Sequence, residues 1–338
     1  MEDGNLDVDD PPPICVAPSI GRFEVSGSGS FNMSIAHHDQ YSAYFMVCGR
    51  DMTFNGEVTS TFINLDPEGG LTQHLSIEFA MLPAIHSVMA VVYVGMVGAW
   101  LGEMVRLHEH VLPVHFLCLL CIVVKMLEFI LVAVYYHRQS KEGSNQDGLR
   151  IAAILFMHLF EIMLLLTLLL FSLGWGFIRQ SLRFKEGWLV TVTVGLYAGV
   201  SLLKATCDDS ETGWCSSISL MEYTVRSLIM LSTVVAINFN ITHIRFCIQL
   251  PWTSSSALEY LKLSRYLSYR ITFLVYLLVP TALLVVNITI LSWEYEWIFT
   301  ALKEFVLLLI LARLGTTFAP LDPWLLTRAF DHSLEQEP

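Results

Sequence analysis

From residue 82 onward the chain alternates long apolar runs with short polar connections. The uninterrupted runs cover about 82–101, 111–136, 150–174, 187–206, 217–239, 268–291 and 297–314. Each approaches the roughly 20 residues that a helix needs to cross about 30 Å of hydrocarbon. The pattern therefore predicts seven transmembrane helices. Residues 1–80 read differently. Tyr41, Ala43, Phe45 and Val47 fall on one face at a period of two, as do Val58, Ser60 and Phe62, which is a strand signature. Asp66-Pro67-Glu68-Gly69-Gly70 supplies turn chemistry, so a hairpin over about 57–75 is expected. The sheet has too few residues to cover both of its faces, which suits half of a β-sandwich or a domain packed on the helices.

Composition agrees with a membrane protein. Of 338 residues, 54% are hydrophobic and 15% charged, where a soluble domain has about 25% charged. The net charge is −12, and residues 1–80 hold −10 of it, with twelve acidic residues against Arg22 and Arg50. An acidic segment of that kind repels nucleic acid and anionic headgroups, so nucleic-acid binding is excluded. Basic residues orient the spans, because short cytoplasmic loops carry the excess of Lys and Arg. Arg106, then Arg179, Arg183 and Lys185, then Arg245, Lys262, Arg265 and Arg270, then Arg328 fall on one side. Arg138, Lys141 and Arg150 fall on the other. The count places the N-terminus outside or in the lumen and the C-terminus in the cytosol.

Cysteine use fits that orientation, since disulfides persist on the lumenal or extracellular side. Cys15, Cys48, Cys207 and Cys215 lie on the side assigned as outer. Cys207 and Cys215 bracket an acidic loop that one bridge closes, and Cys15 with Cys48 is the other natural pairing; the alternative is four free thiols. Cys118, Cys121 and Cys247 read as small apolar residues. The sequon Asn32-Met33-Ser34 is the glycosylation candidate on the same side. Met1-Glu2-Asp3-Gly4 opens an acidic, Pro-rich stretch without the basic and apolar regions of a signal peptide, and the expectation is that upstream sequence completes the outer domain. Gly195 and Gly199 form a G-x-x-x-G expected to pack closely inside the bundle, and Pro280 frees the carbonyl of Tyr276.

Ionisable groups inside spans cost roughly 2.5–3.5 kcal/mol each and by default mark function. Lys125 and Glu128 lie in the second span, Glu161 in the third, Glu222 and Arg226 in the fifth, and Lys303 with Glu304 in the seventh. Lys125 with Glu128, and Glu222 with Arg226, have the spacing to pair within one helix. Together the seven describe a polar cavity opening outward between spans two, three, five and seven; the competing reading is a set of closed ion pairs that fix helix register. His108-Glu109-His110 with His115 matches no zinc spacing, so no metal and no cofactor is expected. No nucleophile elbow, H-E-x-x-H or phosphate-cradling glycine loop occurs, and the expected class is non-enzymatic.

Several short motifs, in order, resemble the lung seven-transmembrane receptor family, also called Golgi-dynamics-domain seven-transmembrane (GOST) proteins. They are Tyr44-Phe45-Met46-Val47-Cys48, Pro83, His115, Tyr136-His137, Gly174-Trp175-Gly176-Phe177-Ile178, Ile244-Arg245, Leu261-Lys262-Leu263-Ser264-Arg265-Tyr266, and Trp293 with Trp297. The resemblance implies a lumenal, GOLD-like β-sandwich on a seven-helix bundle, Golgi residence and a role in vesicle trafficking. It also brings two rival roles, orphan receptor and ion channel or transporter. The short outer segment departs from the family. The third span lacks an acidic-Arg-Tyr triplet and the seventh lacks Asn-Pro-x-x-Tyr, so rhodopsin-type receptors match less well. The expected organisation is a truncated β-rich segment over 1–80, a seven-transmembrane domain over 81–315 and a cytoplasmic tail over 316–338. Its expected partners are the lipid bilayer, a lumenal cargo protein or a lipid or small-molecule ligand, and cytoplasmic sorting factors.

Overall fold

The computed structural model describes residues 63, 74–143, 146–179, 181–207, 213–249 and 257–320. The chain divides into units 1–61 and 62–338, and the described residues belong to the second. Cys15, Cys48, Asn32 and nearly all of the expected strands lie outside the described residues; residues 74–80 form turns that lead into the first helix.

Seven helices follow: α1 Leu82–Arg106, α2 Pro113–Glu142, α3 Asp147–Leu173, α4 Phe184–Ala205, α5 Gly213–Gln249, α6 Ala257–Thr289 and α7 Glu296–Thr317. Proline within the first turn of α1 and of α2 loses no hydrogen bond, because those N–H groups have no intrahelical partner. Glu186 accepts from the backbone N–H of Arg183 at 3.1 Å and caps the start of α4. Gly143 and Gly174 end α2 and α3 in the left-handed conformation, which glycine adopts without a Cβ clash. α6 continues through Pro280.

Six of these helices are long and apolar enough to cross a membrane. The remaining one, α7, carries Lys303, Glu304 and Arg313 in any stretch of that length. Large apolar side chains face outward along the bundle: Val91 is 72% exposed, Leu278 63% and Ile288 74%. Such a surface is stable only against lipid.

Packing closes α1, α2, α3, α5, α6 and α7 into a ring, with α4 outside against α3 and α5. Consecutive helices run in opposite directions. His86 near the start of α1 packs on Tyr136 near the end of α2, whereas Trp100 near the end of α1 meets His115 at the start of α2. The bundle therefore has a first face, where α1 begins, and an opposite face, where α7 ends. Gly195 and Gly199 do not pack inside it. A Cβ at either would meet nothing within 4 Å, because α4 sits outside the ring and turns both glycines away from its neighbours.

The opposite face is locked by side chain to backbone hydrogen bonds. Tyr266 donates to the carbonyl of Phe171 at 2.9 Å, Tyr269 to that of Leu168 at 2.6 Å, and the Asn240 amide to that of Ser172 at 2.6 Å. The carbonyls of Phe171 and Ser172 lie in the last turn of α3, where regular helical partners run out, and that of Leu168 lies a turn earlier. Phe318, just beyond α7, stacks on Phe171 with ring centroids 3.9 Å apart. Its carbonyl lies 2.9 Å from His115 Nε2.

Candidate functional site

The seven charged candidates separate into two clusters. In the first, Lys125 of α2 reaches Glu128 Oε1 on the same helix at 2.8 Å and Glu304 Oε2 on α7 at 3.1 Å. The i,i+3 pairing forms as the spacing suggests, and a third partner comes from another helix. All three groups are buried. The Lys125 ammonium also lies 4.6 Å from the centre of the Phe129 ring and 4.8 Å from that of Phe160, so its charge is enclosed by two carboxylates and two aromatic faces. Lys303 approaches Glu304 Oε1 at 3.9 Å but is half exposed.

The second cluster joins α3, α4, α5 and α6. Arg226 lies 3.8 Å from Glu161, and its other terminal nitrogen donates to the Tyr276 hydroxyl at 3.4 Å. Tyr197 donates to Glu161 at 3.2 Å. Glu222 turns to Lys204 of α4 at 2.6 Å, so Glu222 and Arg226, at i,i+4 spacing, each bind a residue of another helix. His158 Nδ1 and the Ser201 hydroxyl lie 2.8 Å apart. The side chains of Glu161, Arg226 and Lys204 remain about a third exposed, unlike those of the first cluster.

His158, Glu161 and Glu222 bring one potential ligand atom each within 4.8 Å of one another. Both carboxylates already face cations, Arg226 and Lys204, and a divalent ion there would add charge to a neutral group. Neither of two cavities within the bundle is lined by a charged candidate. One, of about 20 Å³, is bounded by Cys118, Leu164, Phe171 and Gly315 among others. The other, of about 300 Å³, lies between α5 and α6 beside Asn238 and Arg270.

Sequence reasoning missed Lys204, His158, Ser201, Tyr197, Tyr276, Tyr93 and His86. The available signal was their polarity within apolar runs: Lys204 closes the fourth run, and the tyrosines and histidines interrupt theirs. Cys207 and Cys215, across the connection from α4 to α5, form a disulfide with Cα atoms 5.8 Å apart. Cys118 and Cys121 are free and buried.

Long apolar helices around charge clusters, with a lipid-facing apolar surface, define a multi-pass membrane protein. The family described as "GOST, seven transmembrane domain" matches residues 81–322, and the chain belongs to that family. It is similar to an Arabidopsis thaliana protein named candidate G-protein coupled receptor 6, with 24% identity over 291 residues that cover 85% of this chain and 67% of that protein.

Proposed function

We propose that this protein is a non-enzymatic sorting receptor of Golgi and related secretory membranes, engaging a cargo protein or ligand on the lumenal side. Family membership supports the placement. The observation that carries the reading is the second cluster: two acids and two bases on α3, α4 and α5, of which Glu161, Arg226 and Lys204 are about a third exposed and Glu222 is buried, on the side of the bundle toward the first face. A group kept partly open inside a bundle, at the cost of burying charge, suits recognition better than register alone. The Cys207–Cys215 bridge, at the connection next to this cluster, supports a lumenal position for the first face. In this orientation the N-terminus is lumenal, the C-terminus cytoplasmic, and the cytoplasmic loops recruit sorting factors.

The test is localisation of the tagged chain together with the flux of secreted proteins in cells lacking it. Golgi residence and selective delay of a subset of secreted proteins are expected, with rescue by the native chain but not by Glu161→Gln, Arg226→Gln. Residence at the cell surface with unchanged secretion would overturn the proposal.

A second reading is signalling, favoured by the name of the plant relative. It predicts nucleotide exchange on a G protein in membranes containing the purified chain, and absence of exchange rejects it.

A further inference from the structure

The first cluster has more buried negative charge than its own cation balances. Lys125 is 3% exposed and carries one positive charge, and it stands between Glu128 and Glu304, at 6% and 7% exposure. Lys303 reaches only the outer oxygen of Glu304, at 3.9 Å, from a half-exposed position where solvent weakens its field. The polar atoms are also incompletely used. Among the described residues, Glu128 Oε2 and the hydroxyl of Tyr93, both buried, have no hydrogen-bond partner, and the buried Glu304 Oε2 has only the Lys125 ammonium, 3.1 Å away. Tyr93 is fully buried on α1 and lies in the field of both carboxylates. Native interiors rarely leave such groups unpartnered, and each calls for a bound proton, water or ion.

We propose that Tyr93, Glu128 and Glu304 together bind one hard monovalent cation, a proton or a sodium ion, that completes the charge balance around Lys125. Three features set the class. The atoms that would hold it are all oxygens, which suit a proton or a hard metal ion. One excess negative charge matches a single positive one, whereas a divalent ion overshoots it. The nearby His86 ring lies in the field of Glu304 with its Nδ1 2.8 Å from the carbonyl of Leu82, and the adjacent Cys121 is a free, buried thiol. The oxygens come from α1, α2 and α7, so the bound cation ties three helices together at one point and makes their packing depend on the ionic conditions of the compartment. The site is independent of the sorting role.

The full-length protein, purified in detergent, tests this by its thermal unfolding midpoint. Sodium chloride is compared with choline chloride at equal ionic strength, each at pH 5.5 and 8. A sodium site raises the midpoint with sodium but not choline. A proton site raises it on acidification whichever salt is present. Either dependence should fall at least several-fold in Glu304→Gln and Glu128→Gln, which remove the excess charge at nearly constant shape. Tyr93→Phe keeps every charge and removes one oxygen, so it should shift the half-effective sodium concentration or pH, and it decides the matter if a Gln variant does not fold. A native midpoint insensitive to both cation and pH, or a dependence undiminished in these variants, overturns the proposal.

Discussion

At the scale of single residues, the fate of Lys125 shows how a buried charge is held. Its ammonium is supported by two carboxylates and two rings, and desolvation is offset only while those partners stay in place. Removing one member of a buried ion pair costs about 3–5 kcal/mol, whereas replacing the whole group with neutral residues of similar size is often tolerated. Lys125→Met should therefore lower the unfolding midpoint of the purified protein sharply. Adding Glu128→Gln and Glu304→Gln to the same chain should recover most of the loss. A triple variant no more stable than Lys125→Met would show that the lysine acts through its shape and not its charge. Gly174 is a second informative residue. It has φ +81°, and a Cβ there would lie 3.0 Å from Ile178 and 3.1 Å from the Tyr266 hydroxyl. Gly174→Ala should cost about 1–2 kcal/mol from the left-handed backbone alone, with the contacts adding to it. Gly187, helical and with nothing near its missing Cβ, provides the control: Gly187→Ala should be neutral or stabilise by up to about 1 kcal/mol. Both are read from chemical or thermal unfolding in the same detergent.

At the scale of helices, the end of α3 is where the bundle is fastened. Three side chains from α5 and α6 donate to carbonyls near that end, and His115 with Phe171 holds the residue that follows α7. His115→Leu should leave the helices in place but raise amide exchange around residues 314–320, since the imidazole contact to the Phe318 carbonyl is lost; unchanged exchange there rejects a fastening role. Much of this architecture is legible in sequence. Each of the seven apolar runs overlaps one helix, because a lipid-facing surface requires apolar residues at nearly every position. The seventh was the least typical run, interrupted by Lys303 and Glu304, whose partner Lys125 lies far away in the chain. Partners were harder to read. Spacing along α5 pointed Glu222 at Arg226, but Lys204 and Glu161, brought in by neighbouring helices, offer contacts without closing the pair. Gly195 and Gly199 misled in the same way: a local pattern gives spacing but not which side of a helix meets its neighbours. The motifs His115, Gly174-Trp175-Gly176-Phe177-Ile178 and Tyr266 carried the family resemblance, and the structure gathers them at one fastened end.

At the scale of the whole molecule, an odd number of antiparallel spans puts the start of α1 and the end of α7 on opposite faces, so one orientation fixes both termini. Two independent physical arguments support the proposed one, with the first face lumenal. The connections on the opposite face contain Arg106, Arg179 and Arg183, as cytoplasmic loops do. The Cys207–Cys215 bridge lies on the first face, and such bonds survive only away from the reducing cytosol. The expectation is therefore checkable with one chain in which Cys207 and Cys215 are the sole cysteines and a tag follows Pro338. In sealed microsomes, protease should remove the tag, while a membrane-impermeant maleimide should leave both cysteines unlabelled even after a permeant reductant. Labelling should then appear once the vesicles are opened by detergent, and it should require the reductant. Labelling of sealed vesicles after reduction alone would put the first face in the cytosol, and with it the partly open cluster of Glu161, Arg226, Lys204 and Glu222. A lumenal ligand would then have no route to that cluster, and the sorting proposal would fail with the orientation on which it rests.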